Sequence, residues 1–275
     1  MCTVVLKLGG SLITWKEKPL KPRVDVISRI SKEIGRALRK RETLRLVIVH
    51  GGGSYGHPYA YKYKIHEGLK PDQSKYQVYG LGQTTDAMRK LSLIISESLR
   101  KEGIPVFPIQ ASSISILKDG RIDKFFQEPL EMLLKIGAVP LLWGDVALDV
   151  NRGFGIVSGD ELSVKLAVTL NASKIIFTLD VDGIYTKPPG TNGAQLIRYL
   201  RPGMEDVDYS VRKRDVTGGV MRKIVEAEPL VSAGKLVVLF INGLVEGRVE
   251  KALLGEQVVG TIYSSSSPSL EPPSR

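Results

Sequence analysis

Short apolar runs and helical stripes alternate along the chain. Residues 3–8 and 44–49 predict buried strands, and between them Ile27, Ile30, Ile34 and Leu38 recur at helical spacing, which predicts a helix over 24–38. The stretch 58–79 is polar and rich in tyrosine and lysine, and reads as a mobile loop or a short helix with a flexible connection. A helix is predicted over 84–99, stopped by Gly103 and Pro105, and a strand over 106–109. Asp119-Gly120 predicts a hairpin turn within 115–122, and a second hairpin is predicted over 146–157, turning near Asn151-Arg152-Gly153. Helices are predicted over 129–136, 159–170 and 217–233, and strands over 138–143, 174–179 and 236–241. Strands that alternate with helices predict an α/β fold, a three-layer αβα sandwich with a mainly parallel central sheet and antiparallel hairpins at its margins. The serine- and proline-rich segment 263–275 is expected to be a disordered tail.

In such sheets ligands bind beyond the carboxyl ends of the strands. The segments Gly9-Gly10, Gly51-Gly52-Gly53, Gly144-Asp145 and Asp180-Val181-Asp182-Gly183 all fall at predicted strand ends, so they should converge on one edge. A strand that runs into consecutive glycines lets backbone N–H groups approach an anion that a Cβ would keep away. His57 follows the triplet closely and adds a titratable donor at the same mouth. Gly51, Gly53 and Gly56 fit the letters G-x-G-x-x-G, but the region about 20 residues on is polar and does not read as the second strand of a dinucleotide site. No G-x-x-x-x-G-K-[ST] is present, which excludes a P-loop.

Composition narrows the class further. The 275 residues allow one large domain or two lobes, and one cysteine, Cys2, rules out an internal disulfide framework. The few apolar residues before Lys7 are too short for a signal peptide and no apolar run reaches membrane-spanning length, so a cytoplasmic protein with no membrane partner is expected. Thirty-nine basic against 29 acidic residues give a net charge of +10, yet the basic runs lack interleaved aromatics. The reading is a solvated surface plus an anionic small-molecule site, with no nucleic-acid partner. His50, His57 and His66 have no company suited to zinc, and no metal-ligating residue is assigned.

Five motifs occur in order: Lys7-Leu8-Gly9-Gly10-Ser11, Gly144-Asp145-Val146, Ser158-Gly159-Asp160, Asp180-Val181-Asp182-Gly183-Ile184-Tyr185 and Asp215-Val216-Thr217-Gly218-Gly219. Together they resemble the amino acid kinase family from the start of the chain to about Ile262. Gly-Gly-Gly-Ser-Tyr-Gly-His-Pro over 51–58, with Lys16 nine positions past Lys7, is similar to the isopentenyl phosphate kinases of that family. A fosfomycin-phosphorylating relative shares much of the pattern, and a non-catalytic anion-binding protein is the other alternative.

The resemblance implies ATP-dependent phosphorylation of isopentenyl phosphate to the diphosphate, with Mg²⁺ arriving on the nucleotide, and a homodimer. It implies an acceptor lobe over 1–170 and an ATP lobe over 171–262. Lys7, Lys16, His57 and Asp145 would be the catalytic set, with Asp145 holding both lysines by ion pairing. Gly52, His57 and Gly159 would bind the acceptor phosphate. Lys7, Gly9, Gly10, Ser11, Gly53, Asp180, Tyr185, Gly219 and Lys223 would bind ATP. Each has a plainer reading: a strand-end lysine is usually surface charge, Gly-Gly a turn, and Ser158-Gly159-Asp160 a helix N-cap with Asp160 structural. An apolar pocket for a prenyl tail could draw on Met88, Leu91 and Ile95, with Leu81 and Ile156 nearby, although such a stripe is more often core.

Overall fold

The computed structural model describes residues 2–203 and 227–266. Its first half runs β1 (Cys2–Leu8), α1 (Gly10–Ile13), α2 (Val24–Lys40), β2 (Leu44–His50), α3 (Gly53–Lys62), α4 (Ser74–Lys101), β3 (Val106–Pro108), β4 (Ser115–Lys118) and β5 (Arg121–Phe125). There follow α5 (Glu128–Lys135), β6 (Val139–Trp143), β7 (Asp145–Asp149), β8 (Gly153–Val157), α6 (Gly159–Thr169) and β9 (Lys174–Leu179). The chain then forms β10 (Ile184–Tyr185), β11 (Leu196–Ile197), β12 (Tyr199–Leu200), β13 (Val237–Asn242), α7 (Arg248–Leu254) and β14 (Gly260–Tyr263).

Eight strands make the central sheet in the order β12-β14-β13-β9-β1-β2-β6-β3. Every pairing in it is parallel except β13 with β14. Both faces are covered, as a parallel sheet requires. Alternate residues of β1 show how: Val4, Leu6 and Leu8 point into a core shared with α2, α4 and α7, whereas Val5 joins the opposite core with α5 and α6. Lys7 has the parity of Val5. It is therefore a core-facing position at a strand end, which accounts for its 7% exposure.

A smaller sheet, β5-β4-β7-β8, stands beside the central one, and its hairpin turn has Asp119 and Gly120 both left-handed (φ 53° and 79°) as the Asp-Gly pair predicted. The predicted helix over 217–233 lies largely outside the described residues, of which 227–232 are helical.

Of the two readings of 58–79, the short helix holds and the mobile loop does not: the connection is built of ordered turns. Helix α3 runs through Lys62, two 3₁₀ turns follow (Ile65–Glu67 and Pro71–Gln73), and α4 starts at Ser74. Pro58 cannot donate to the Ser54 carbonyl, and the Leu20 N–H donates to it instead at 3.2 Å. The buried Gln77 organises the connection: it donates to the carbonyls of Lys64 (3.3 Å) and Gly68 (3.0 Å) and accepts from the Lys70 N–H (2.8 Å). Tyr63 packs on Gly80, where a side chain would collide with its ring. None of these partners is visible to a periodicity argument.

Candidate active site

Beyond the ends of β1 and β2 the two glycine segments lie backbone to backbone. A Cβ on Gly10 would stand 2.5 Å from the Gly53 nitrogen and 2.8 Å from its Cα. Gly53 is left-handed (φ 46°), and a side chain there would collide with Thr14 Oγ1 and the Gly10 carbonyl. Glycine at both positions is what lets the loops touch. Lys7 reaches up between them: a Cβ on Gly51 would lie 3.6 Å from its Nζ, and one on Gly159 would lie 3.5 Å from its Cε.

Gly159 opens α6, whose N-cap Ser158 accepts the Glu161 N–H at 3.1 Å. Asp160 follows in the first turn and pairs with Lys7 at 2.7 Å. The arrangement puts a nearly buried ammonium, a helix N-terminus and two bare backbone loops around one space, which suits a phosphate.

His57 is an exposed residue of α3. Crowding by neighbouring protein lowers its pKa from the ordinary value, the Lys7 cation lowers it further, and the Asp160 carboxylate partly opposes. That coupling places His57 within electrostatic reach of the Lys7–Asp160 pair. His50, at the end of β2, is fully buried and stacked on Trp143 at 5.8 Å, and burial pushes its pKa down to about 4. Its burial and stacking make it part of the packing beneath the site.

Residues 3–242 match the family model described as the amino acid kinase family. The chain belongs to the amino acid kinase family. It is 36% identical over 265 residues to the isopentenyl phosphate kinase of Methanothermobacter thermautotrophicus, covering 94% of this chain and 97% of that one. To the isopentenyl phosphate kinase of Methanocaldococcus jannaschii it is 35% identical, covering 94% and 96%. A crystal structure of an isopentenyl phosphate kinase superposes with a TM-score of 0.82 at 33% identity, covering 95% of this chain and all of that one. An isopentenyl phosphate kinase substrate complex superposes at 0.76 with 28% identity, covering 96% of this chain and all of that one.

Within this amino acid kinase fold, one expected arrangement is corrected. Asp145 does not hold Lys7 and Lys16. Lys7 pairs with Asp160, and Lys16, more than half exposed, lies 3.4 Å from Asp180. Asp145 begins β7 in the smaller sheet and turns toward α4: its carboxylate accepts from the Val146 N–H (2.8 Å), Thr85 Oγ1 (3.4 Å) and Ser112 Oγ (3.3 Å). Burial outweighs these donors and raises its pKa to about 6. Asp160, which the sequence reading left as structural, is the counterion instead. The sequence signal for it was weak, since an acidic residue in the first turn after a serine cap is common in any helix.

On the other side of the cleft Asp182 pairs with Arg248 and accepts from Asn242 Nδ2 (3.1 Å), fixing the turn after β9 against the start of α7. Tyr185 lies in the separate β10–β11 ribbon and is half-buried. Gly219 and Lys223 lie outside the described residues.

Met88, Leu91 and Ile95 are at most 1% exposed and pack in the core. A cavity of about 240 Å³ exists elsewhere, lined by Leu81, Ser112, Val146, Ala147, Leu148 and Phe154. Half-buried Ile156 packs in the adjoining cluster, which also holds Ala60, one turn beyond His57 on the same side of α3.

Proposed function

We propose that the chain transfers the γ-phosphoryl group of ATP to isopentenyl phosphate, giving ADP and isopentenyl diphosphate. One observation carries the reading: two glycine loops in backbone contact flank the buried Lys7, with His57 in electrostatic reach across the mouth. The similarity to isopentenyl phosphate kinases over nearly the whole chain supports the choice of acceptor.

An acceptor phosphate oxygen is already an anionic nucleophile, so the protein has to position two anions and neutralise charge as it shifts. An acceptor oxygen forms a bond to the γ-phosphorus while the bond from that phosphorus to the β,γ-bridging oxygen breaks, and ADP leaves. Lys7 contacts the moving phosphoryl group, with Asp160 holding its ammonium in place. The backbone of Gly9, Gly10, Ser11 and Gly53 faces ATP phosphates. Gly52, His57 and the Gly159 N–H at the head of α6 hold the acceptor phosphate. Lys16 supplies a mobile charge from its loop, and its contact with Asp180 ties that loop to the nucleotide side. Asp180, Tyr185, Gly219 and Lys223 complete the ATP site.

Asp145 anchors Ser112 in the lining of the 240 Å³ cavity, which is large enough for a five-carbon tail. On this reading residues 1–170 carry the acceptor and residues 171–262 carry ATP, in a cytoplasmic homodimer.

Among the described residues no cluster of three or more His, Cys, Asp or Glu side chains could hold a metal, and Asp160 and Asp180 are each engaged by a lysine. These residues do not build a protein cage for Mg²⁺. The ion belongs with the ATP phosphates, and no step is assigned to it.

The deciding experiment is ADP release with Mg-ATP against isopentenyl phosphate, fosfomycin, UMP and N-acetylglutamate at matched concentrations. Preference for isopentenyl phosphate is expected. Equal or greater turnover of another acceptor would overturn the substrate assignment, and silence with all four would favour a non-catalytic binding protein.

A further inference from the structure

Thr14 closes α1 and is fully buried, and its hydroxyl joins the two glycine loops. Thr14 Oγ1 donates to the Gly10 carbonyl at 2.8 Å and accepts the Ser54 N–H at 3.0 Å. One side chain thus bridges the loop that follows β1 to the loop that follows β2, 40 residues away in sequence. The same segment grips Ser54 a second time, through the Leu20 N–H on the Ser54 carbonyl, and Thr14 itself bridges to Pro22. Gly53 is left-handed directly against this hydroxyl, with no space for a side chain between them.

The proposed reaction assigns ATP to the first loop and to Gly53, where the second loop touches it, and assigns the acceptor to Gly52 and His57 of the second. The offset between the loops then sets the separation and alignment of the two phosphates. Backbone contact between Gly10 and Gly53 limits how close the loops can come, but non-directional contact does not stop them sliding or parting. A hydroxyl that donates to one loop and accepts from the other fixes both distance and direction.

We infer that Thr14 is a positioning residue for phosphoryl transfer, holding the ATP-side and acceptor-side loops in register through its hydroxyl. The inference rests on the proposed function for what each loop binds. The structural link itself does not depend on which acceptor is used.

Three variants separate the possibilities. Thr14→Val keeps the shape and removes both hydrogen bonds, Thr14→Ala removes them with less bulk, and Thr14→Ser keeps the hydroxyl. With misalignment as the defect, kcat of Thr14→Val should fall about 10- to 100-fold, while KM for ATP and for isopentenyl phosphate each stay within about 3-fold of wild type. Thr14→Ser should recover most of kcat. Normal kcat in folded Thr14→Val, or a Thr14→Ser enzyme as slow as Thr14→Val, would overturn the inference. So would a loss carried wholly in the two KM values.

Amide hydrogen exchange at Ser54 gives a reading independent of turnover, which also serves if Thr14→Val does not fold. It should be slow in the wild type and faster in Thr14→Ala, and equal rates would sink the proposed link. Wild-type enzyme that is silent with isopentenyl phosphate would refute the acceptor assignment, and Ser54 exchange would still decide whether the hydroxyl locks the loops.

Discussion

Replacing Gly10 with alanine tests the contact on which the site is built. Gly10 is not in the left-handed region, so alanine meets no backbone penalty there and the whole effect comes from the added methyl. That methyl would sit 2.5 Å from the Gly53 nitrogen and 2.8 Å from its Cα, where ordinary contact begins at 3.4 Å. Both obstructing atoms are backbone, so no side chain can swing aside. The loops must part by roughly 0.6–0.9 Å, and overpacking of this kind costs about 1–3 kcal/mol of stability.

For a chain of this size the loss corresponds to a Tm lower by about 2–5 °C. The larger consequence is catalytic: a displacement near 1 Å between reacting groups costs on the order of 100-fold in rate. Steady-state kinetics with ATP and isopentenyl phosphate, beside a thermal melt, read both effects. Gly82→Ala is the control, since a Cβ at that exposed position of α4 meets nothing within 4 Å. Gly10→Ala with wild-type kcat/KM and Tm would refute the idea that close approach of these loops sets the reacting geometry.

Two further outcomes follow from the carboxylates. Asp145 has its pKa raised from 3.8 to about 6, so the native state holds its proton more tightly than the unfolded chain. Stability from this group is complete below pH ~4, declines as pH rises through 6, and the total loss is about 3 kcal/mol. Melts of Asp145→Asn and wild type from pH 4 to 7 should therefore shift steadily in favour of the variant, and a pH-independent difference would contradict the burial argument. Asp160→Asn leaves the nearly buried Lys7 ammonium without its counterion, a change that costs about 3–5 kcal/mol when such a pair is fully enclosed. Because this pair keeps some solvent contact, a smaller loss of stability is expected, accompanied by a clear fall in kcat; unchanged kcat would remove Asp160 from the positioning of Lys7.

Much of this site was legible in the chain. Lys7, Gly9-Gly10 and residues 51–53 are read from strand-end position, because a parallel sheet brings the carboxyl ends of its strands to one edge and glycine there exposes backbone donors. The Asp119-Gly120 turn follows for a similar local reason, since left-handed backbone favours those residues. The order of the longer strands and helices followed from periodicity, which reports the faces each element must bury, whereas the short α1, α7, β10, β11, β12 and β14 were not predicted.

The pairings came from tertiary structure alone. Which carboxylate meets Lys7 depends on where β7 and α6 leave their sheets: Asp160 stands at the head of α6 on the Lys7 face, while Asp145 turns toward Thr85 and Ser112. Likewise, Gln77 converts an apparently irregular stretch into ordered turns through partners up to 13 residues away, and Met88 becomes core because α4 lies flat on the sheet. Sequence by itself determined the α/β class, the strand ends and the glycines that open a phosphate site, because each rests on local backbone preference or on a repeating pattern of burial. Only the folded chain decided that Asp160 is the counterion and that Thr14 joins the loops, because hydrogen bonds and ion pairs depend on ångström-scale distances and directions between residues far apart in sequence.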